Sequence, residues 1–403
     1  MRNKTRHLIA AVTVLASAAP AWAQKSYDAG ANDTEIKIGN IAPYSGPFSA
    51  LGLIGRTIVA YFNKVNAEGG INGRELNFIS YDDGYSPPKT MEQARKLVEH
   101  DGVLLIFTSL GTPPNTAIER YMNGQRVPQL FIASGATKFG DPKNFPWTMG
   151  FAPTYQNEAR IYAKYLVEHH PDGKIGVLYQ NDDYGKDYLQ EFKDGLAGKI
   201  PIISEQTYET TDATVNSQVF SLKGAGANIL FDVSLGKFAA QAIRKVAELG
   251  WKPVHVLNNV ATSVGSVLEP AGLENAKDIL SSKYAKDPTD VAWKDDPDFR
   301  QWSAFMDTYF REGDRTSSST VTGYLLAHTL VHVLEQCGDD LTRANLMKQA
   351  ANLKDLKIPM LLPGITINTS ADDYFPIKQM QMSRFTGERW EQFGPLYSGK
   401  VGS

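Results

Sequence analysis

The sequence predicts an α/β protein built from two successive doubly wound parallel sheets, and three observations carry that reading. Short apolar runs rich in β-branched residues alternate with stretches of helical spacing from residue 35 to residue 257, the pattern of strand–helix–strand units around a parallel sheet. The alternation pauses at 147–153 and restarts with a similar element order, an architectural repeat of roughly 120 residues per unit without a repeated motif. Two neighbouring apolar runs, 103–108 and 129–133, each empty into a loop of hydroxyls and glycine. Open α/β sheets bind ligands at the carboxyl ends of their strands.

The elements follow in order. Residues 35–42 alternate as a first strand and open into the loop Pro43-Tyr44-Ser45-Gly46-Pro47. Residues 51–68 have helical spacing, and Gly69-Gly70 stops them because glycine enters the left-handed conformation at a helix end without penalty. Asn72-Gly73 is a turn signal, 75–81 is the second strand leading to Asp82-Asp83, and 89–100 is a helix. Strand 103–108 is followed by Ser109-Leu110-Gly111-Thr112, and Pro113-Pro114 opens a helix through about Asn123. Proline suits a first helical turn because its missing N–H would have had no partner there. Strand 129–133 enters Ser134-Gly135-Ala136-Thr137. Free backbone N–H groups at two adjacent strand ends suit an anion. Leu110, Gly111, Thr112, Ser134, Gly135, Ala136 and Thr137 are therefore candidate ligand-binding residues.

The second unit reads as helix 157–170, strand 174–179, a helix holding 188–195, strand 200–207, helix 215–224, strand 228–233, helix 237–249 and strand 253–257. Residues 281–296 are polar, which suits a crossing between lobes. Two strong helices at 295–311 and 320–336 come next, then an irregular stretch at 361–376 and a strand at 377–385.

At 403 residues the chain has room for two domains. Arg2, Lys4 and Arg6 precede an apolar core at 8–19 and the small-residue site Ala21-Trp22-Ala23. This is the plan of a secretory signal peptide cut after Ala23, with a core too short to span a bilayer. Its removal takes away three basic residues and no acidic one, moving the formal charge from −3 to −6. Such a balance disfavours nucleic acid and anionic membrane surfaces as partners, and no membrane insertion is expected. A single cysteine, Cys337, excludes an internal disulfide. His328 and His332, with Glu335 three residues on, have zinc-compatible spacing. Thr329, however, stands where a metalloprotease needs its glutamate, and a packed helix face is expected instead. With no phosphate-binding loop, nucleophile elbow or cysteine cluster, no cofactor, no metal and no catalytic residue is expected.

The segments IKIGNIAPYSGP, NAEGGINGRELNFISYDDGYSP, QARKLV, VPQLFIASGAT and VLYQNDDYGKDYLQEFKDGL resemble the type I periplasmic solute-binding proteins of the leucine/isoleucine/valine-binding family. GGINGR followed by a strand and YDD carries most of the specificity, and the likeness covers nearly all the mature chain. The resemblance implies a periplasmic, monomeric, non-enzymatic carrier of two lobes, joined by three crossing segments with a ligand cleft between them. The crossings would lie near 149–153, 281–287 and 362–374. The N-lobe would hold 34–150 and 287–362, and the C-lobe 151–286 and 363–403. The partners implied are a small-molecule carboxylate and an inner-membrane ABC permease.

In that family the ligand carboxylate sits on two N-lobe loops, matched here by Leu110-Gly111-Thr112 and Ser134-Gly135-Ala136-Thr137. Thr137 stands where the family uses a threonine's N–H and hydroxyl, and Gly111 falls near a family serine. Tyr184, before Gly185, matches a C-lobe tyrosine. The acid that meets an ammonium in amino-acid binders is matched by the stretch holding Asn258 and Asn259, which has none. An amide cannot offset a buried ammonium. Leu51 and Ser319 stand near positions where relatives carry larger pocket groups, leaving a roomier pocket walled by Tyr44, Tyr184 and Phe151. The expected ligand is an aromatic or phenylpropanoid acid, or a branched-chain-type amino acid. The alternatives are a periplasmic sensor of the same fold serving a membrane receptor and, more remotely, a secreted hydrolase using Asp82/Asp83 or the histidine pair.

Overall fold

The computed structural model describes residues 25–398; the expected signal peptide lies outside them. A short strand β1 (Ser26–Tyr27) precedes β2 (Glu35–Ala42), α1 (Leu53–Ala67), β3 (Glu75–Asp82), α2 (Pro87–Arg95), β4 (Leu105–Phe107), α3 (Thr112–Gln125), β5 (Gln129–Ile132) and β6 (Thr148–Gly150). Strands β2 to β6 form a parallel sheet of order β3-β2-β4-β5-β6. Its central strands β4 and β5 are buried throughout, because a parallel strand is covered on both faces and so reads as an unbroken apolar run. The helix expected at 51–68 starts with a 3-10 turn at Ser49–Gly52, and the one expected at 89–100 ends in a wide π turn at Lys96–His100.

The chain then enters α4 (Tyr155–His169), β7 (Ile175–Gln180), α5 (Asp183–Leu196), β8 (Ile202–Tyr208), α6 (Asn216–Gly224), β9 (Ile229–Val233), α7 (Lys237–Glu248), β10 (Val254–Leu257), the single turn α8 (Glu269–Ala271) and β11 (Leu280–Lys283). α4 and α5 begin on side-chain caps. Thr154 Oγ1 accepts the Asn157 N–H at 3.1 Å, and Asp182 Oδ1 accepts those of Tyr184 at 2.9 Å and Gly185 at 3.4 Å, satisfying donors that a helix start leaves open. After α9 (Pro297–Tyr309), α10 (Ser318–Cys337), β12 (Asp340–Leu341) and α11 (Arg343–Ala350), the chain returns as β13 (Gln379–Phe385) and β14 (Trp390–Ser398). The second sheet has the order β14-β13-β11-β10-β9-β7-β8. Its first five strands in the chain are parallel, and β13 and β14 are added antiparallel. β1, β6, β11, β12 and β14 are absent from the sequence reading. β11 is LSSK, too short and polar to stand out, and it occupies the start of the stretch read as a crossing.

The molecule is thus a two-lobe α/β fold. α9 and α10 pack on α1 of the first lobe, and β12 pairs with β1. Arg343 anchors α11 there by donating to the carbonyls of Leu104 and Val103 at 3.0 and 2.9 Å. The chain passes between the sheets after β6 and after β11. The second passage runs antiparallel to 360–362: Lys286 N–H donates to Met360 O at 2.8 Å, and Leu362 N–H to Tyr284 O at 2.9 Å. The third comes late. Thr369 Oγ1 donates to Ala350 O at 2.7 Å, and Tyr374 OH to Pro146 O at 3.3 Å. Residues 363–376 therefore lie against the first lobe rather than in the second, where the sequence reading placed them.

Candidate functional site

The carboxyl ends of both sheets face one partly open cavity. From the first lobe, Leu51, Ile54, Tyr85, Leu110, Gly111, Thr112, Ser134 and Gly135 line it; Tyr155, Tyr184, Leu235, Asn259, Val260, Thr262 and Lys283 do so from the second. The crossing residues Tyr284, Ala285, Lys286 and Asp287 and the start of α10, including Ser318, Ser319 and Thr322, complete the wall. The cavity has about 120 Å³ of open space, several times the roughly 10–15 Å³ that one water needs.

Eight of the twelve candidate residues meet at this cavity, and four do not. Tyr44 is turned away: its OH bonds to Ser80 Oγ at 2.6 Å, and Asp82 Oδ1 accepts its N–H at 2.8 Å. Asp82 also accepts the Ser45 hydroxyl at 2.6 Å, so this carboxylate pins a loop. Asn258 is fully buried behind the wall, donating to Ser234 O at 2.7 Å and Asp232 O at 3.2 Å. Ala136 gives its N–H to Ser134 Oγ at 3.1 Å. Thr137 spans the cleft instead, with its N–H and hydroxyl donating to Asp187 Oδ2 of α5 at 3.0 and 3.2 Å. The Thr137 donors proposed for a ligand carboxylate are thus met by the protein's own. Phe151 is core, packed at 5.5 Å on Phe131.

Other groups of the two loops have partners as well. Gly111 N–H bonds to Ala133 O at 3.2 Å. Thr112 and Ser134 share a hydroxyl hydrogen bond of 2.8 Å, and Ser134 also meets the Tyr155 phenol at 3.4 Å. Burial pushes the Tyr85 and Tyr155 phenols up, Tyr155 to about 12. Tyr85 owes its place to two local features. Its φ is +64°, a strained value for a bulky residue, and Asp83 Oδ1 holds its N–H at 2.8 Å while Thr90 donates to Oδ2 at 2.7 Å. Gly111, with φ +98°, leaves room for the ring: a Cβ there would lie 2.4 Å from Tyr85 Cε2.

Sequence reasoning missed the other pole of the cavity. Lys283, at the end of β11, is buried; its Nζ donates to Thr262 Oγ1 at 2.7 Å and to Asp287 Oδ2 at 3.1 Å, and lies 4.9 Å from the Trp390 ring centre. Burial pulls Lys283 below the usual lysine range, against the opposing pull of Asp287. Asp287 is fully engaged, its Oδ1 accepting the Thr289 N–H at 3.0 Å and hydroxyl at 2.7 Å. Lys286 turns to Asp296 and Asp298 at 2.6 and 2.8 Å. A lysine in SSKYAKDP reads as a solvated loop charge, and only the pairing of β11 with β10 and β13 buries it. Beneath the cavity, Asn259 donates its N–H to Glu158 Oε1 at 2.6 Å, and Tyr162 and Tyr188 donate to the two Glu158 oxygens at 2.8 Å each. Burial pushes Glu158 up to about 7. The Tyr184 phenol lines the cavity fully buried, with no hydrogen-bond partner among the described residues.

The histidine pair lies elsewhere. His328 is wedged between the rings of Tyr61 and Tyr324 at 4.9 and 5.0 Å, where burial lowers it to about 4. Among the described residues no cluster of three or more His, Cys, Asp or Glu side chains could hold a metal, and no helix is long and apolar enough to cross a membrane.

A family model described as periplasmic binding protein matches residues 35–389. Leu/Ile/Val-binding protein homolog 7 of Brucella suis is 25% identical over 376 residues, covering 87% of each chain. Among solved structures, a branched-chain amino acid ABC transporter protein from Thermus thermophilus with bound valine superposes with a TM-score of 0.82 at 15% identity, covering 91% of this chain and 97% of that one. A solute-binding protein of an ABC transporter from Rhodopseudomonas palustris, in complex with 3,4-dihydroxybenzoic acid, gives 0.76 at 18% identity, covering 91% and 98%. At such identities these two structures speak for the fold.

Proposed function

The chain belongs to the periplasmic binding protein family, in its type I leucine/isoleucine/valine-binding branch, and from that membership we propose that it carries a small carboxylate, an aromatic acid in preference to an α-amino acid, to an ABC importer. The family is one of solute-binding proteins that work with ABC permeases, and the cleft between the lobes is where such a ligand would lie. Leu51, Leu110, Gly111, Thr112, Ser134, Gly135, Tyr184 and Asn259 are the contacts we assign to it from the sequence reading.

One observation carries the ligand class. Asp287 is the sole carboxylate among the described lining residues, and it is committed to Lys283 and Thr289. A ligand ammonium would be buried there without a counter-charge, which costs several kcal/mol. The remaining wall is largely aliphatic and includes the rings of Tyr85, Tyr155, Tyr184 and Tyr284, surfaces that suit a planar ring. One neighbour in fold holds valine and another 3,4-dihydroxybenzoic acid, so this architecture accommodates either class and the lining decides.

A thermal-shift screen of the mature protein against 3,4-dihydroxybenzoate, cinnamate-type acids, leucine and valine tests the proposal. A ligand at a hundred times its Kd stabilises the folded state by about 2.7 kcal/mol, so a matching aromatic acid should raise Tm by several degrees while leucine and valine leave it unmoved. A shift with leucine and none with any aromatic acid would reverse the ligand assignment.

A further inference from the structure

We propose that the groove between α11, the start of β6 and the third passage is a docking site for an acidic peptide segment of a partner protein, one that carries an aromatic or aliphatic anchor among its carboxylates. The inference goes beyond the carrier reading and does not depend on it.

The groove is a separate place on the molecule. It has about 940 Å³ of open space and shares no lining residue with the interlobe cavity. Trp147 stands just before β6, at the amino end of its strand, whereas the interlobe cavity lies at carboxyl ends. α11 supplies one side, and Pro146 with the third passage supplies the other, joined by the bond from Tyr374 OH to Pro146 O at 3.3 Å. The floor is apolar: Met347 and Tyr374 are buried, and Trp147 and Ala351 are half-buried.

The charges that line the groove are of one sign. Arg126, Lys348 and Lys354 are there, and no carboxylate is. All three are exposed. None is ion-paired among the described residues, and Lys354 Nζ donates to Thr369 O at 3.2 Å. Asp355 and Asp372, neighbours in sequence of Lys354 and Ala371, are exposed and lie outside the lining, while Asp373 is paired with Lys378 at 2.7 Å. Arg126 and Lys348 stand at the ends of α3 and α11, where a cation complements the helix dipole. That accounts for their sign, but not for Lys354 or for the apolar floor beside them. In a mature chain of formal charge −6, three unpaired cations around recessed apolar groups are a local reversal of character. Carboxylates of a partner segment complement the cations, and its anchor covers Trp147 and Met347. A flat anionic membrane fits less well, because the surrounding protein is net acidic and the apolar floor is recessed.

The test is fluorescence anisotropy of the mature protein with three labelled synthetic hexapeptides: DEWDEL, its anchorless form DEADEA and its basic counterpart KRWKRL. Wild-type protein should bind DEWDEL at least about tenfold more tightly than either of the others. That binding should weaken as salt rises from about 0.01 to 0.15 M, where the screening length falls from about 30 to 8 Å. The triple variant Arg126→Glu/Lys348→Glu/Lys354→Glu changes only exposed side chains, and its thermal melt checks that it folds. It should lose DEWDEL at least about tenfold and gain KRWKRL. Equal binding of DEWDEL by wild type and variant, equal binding of DEWDEL and DEADEA by wild type, or no binding of DEWDEL would overturn the proposal. Wild-type protein that ignores DEWDEL and sediments with phosphatidylglycerol vesicles would assign the groove to a lipid surface instead. None of these outcomes bears on the carboxylate-carrier reading, which the thermal-shift screen tests separately.

Discussion

At the scale of single residues, the cavity's character is set by side chains whose neighbours in space, not in sequence, decide what they do. Gly111 shows this. Its +98° φ and the 2.4 Å that would separate a Cβ from the Tyr85 ring leave no room for alanine, so Gly111→Ala should destabilise the protein by about 1–3 kcal/mol, read as a lower urea midpoint. Glu158 shows it differently. Burial raises its pKa from the usual carboxylate range to about 7, so between roughly pH 4.5 and 7 the folded state holds a proton that the unfolded state has lost. Stability from this group is therefore highest at low pH and declines as pH rises through 7. Glu158→Gln should be more stable than wild type at pH 8, with the difference shrinking toward pH 5; a gap independent of pH would contradict the assignment. The sequence marked Thr112 and Ser134 as loop residues after strands, because strand ends are legible from apolar runs, whereas Leu51, Tyr184 and Asn259 were marked only through the family resemblance. It could not reveal that Tyr85 and Tyr155 would line the cavity, or that Lys283 would be buried, since nothing local distinguishes these from ordinary turn and loop residues.

At the scale of elements, α5 does two jobs. Its N-terminal turn, capped by Asp182, brings Tyr184 to the cavity. Its next carboxylates reach across the cleft, Asp187 to Thr137 and Asp183 to Lys138 at 3.5 Å and Thr116 at 3.4 Å. On the far rim Phe48 meets Phe238 at 6.1 Å between ring centres. These contacts exist only when the lobes are together, so they bias the hinge toward closure. Asp187→Ala should weaken ligand binding by about 1–3 kcal/mol, the worth of charge-assisted hydrogen bonds, and should raise the radius of gyration seen by small-angle scattering. An unchanged radius and affinity would mean that Asp187 is not a closing contact. Strand–helix alternation made most elements readable, including α9 and α10. Five strands were not: β1, β6 and β12 are only two or three residues long, and β11 and β14 lack a framing pattern. β11 lacks an apolar run, and β14 follows a Gly-containing turn at the end of a stretch with no helix to frame it. Register and edge order depend on pairing partners far away in the chain, which periodicity does not encode.

At the scale of the whole molecule, two sheets point their carboxyl ends at one cavity, and three passages of chain let the lobes part and meet. The first passage shows in the sequence as a break in the alternation and the second as a polar stretch. The third was misplaced because residues 363–376 are irregular, and their attachment to the first lobe depends on hydrogen bonds such as Thr369 to Ala350. The net acidity of the surface and the mainly apolar cavity fit a carrier of a small organic anion rather than a binder of nucleic acid or membrane. The most direct measurement is a crystal structure of the mature protein with 3,4-dihydroxybenzoate. The acid should lie between the lobes, its ring against Leu51 and Tyr184, with Thr137 still bonded to Asp187. Acid found in the surface groove beside Trp147 and Met347, with the interlobe cavity empty, would contradict the assignment of this cleft as the binding site.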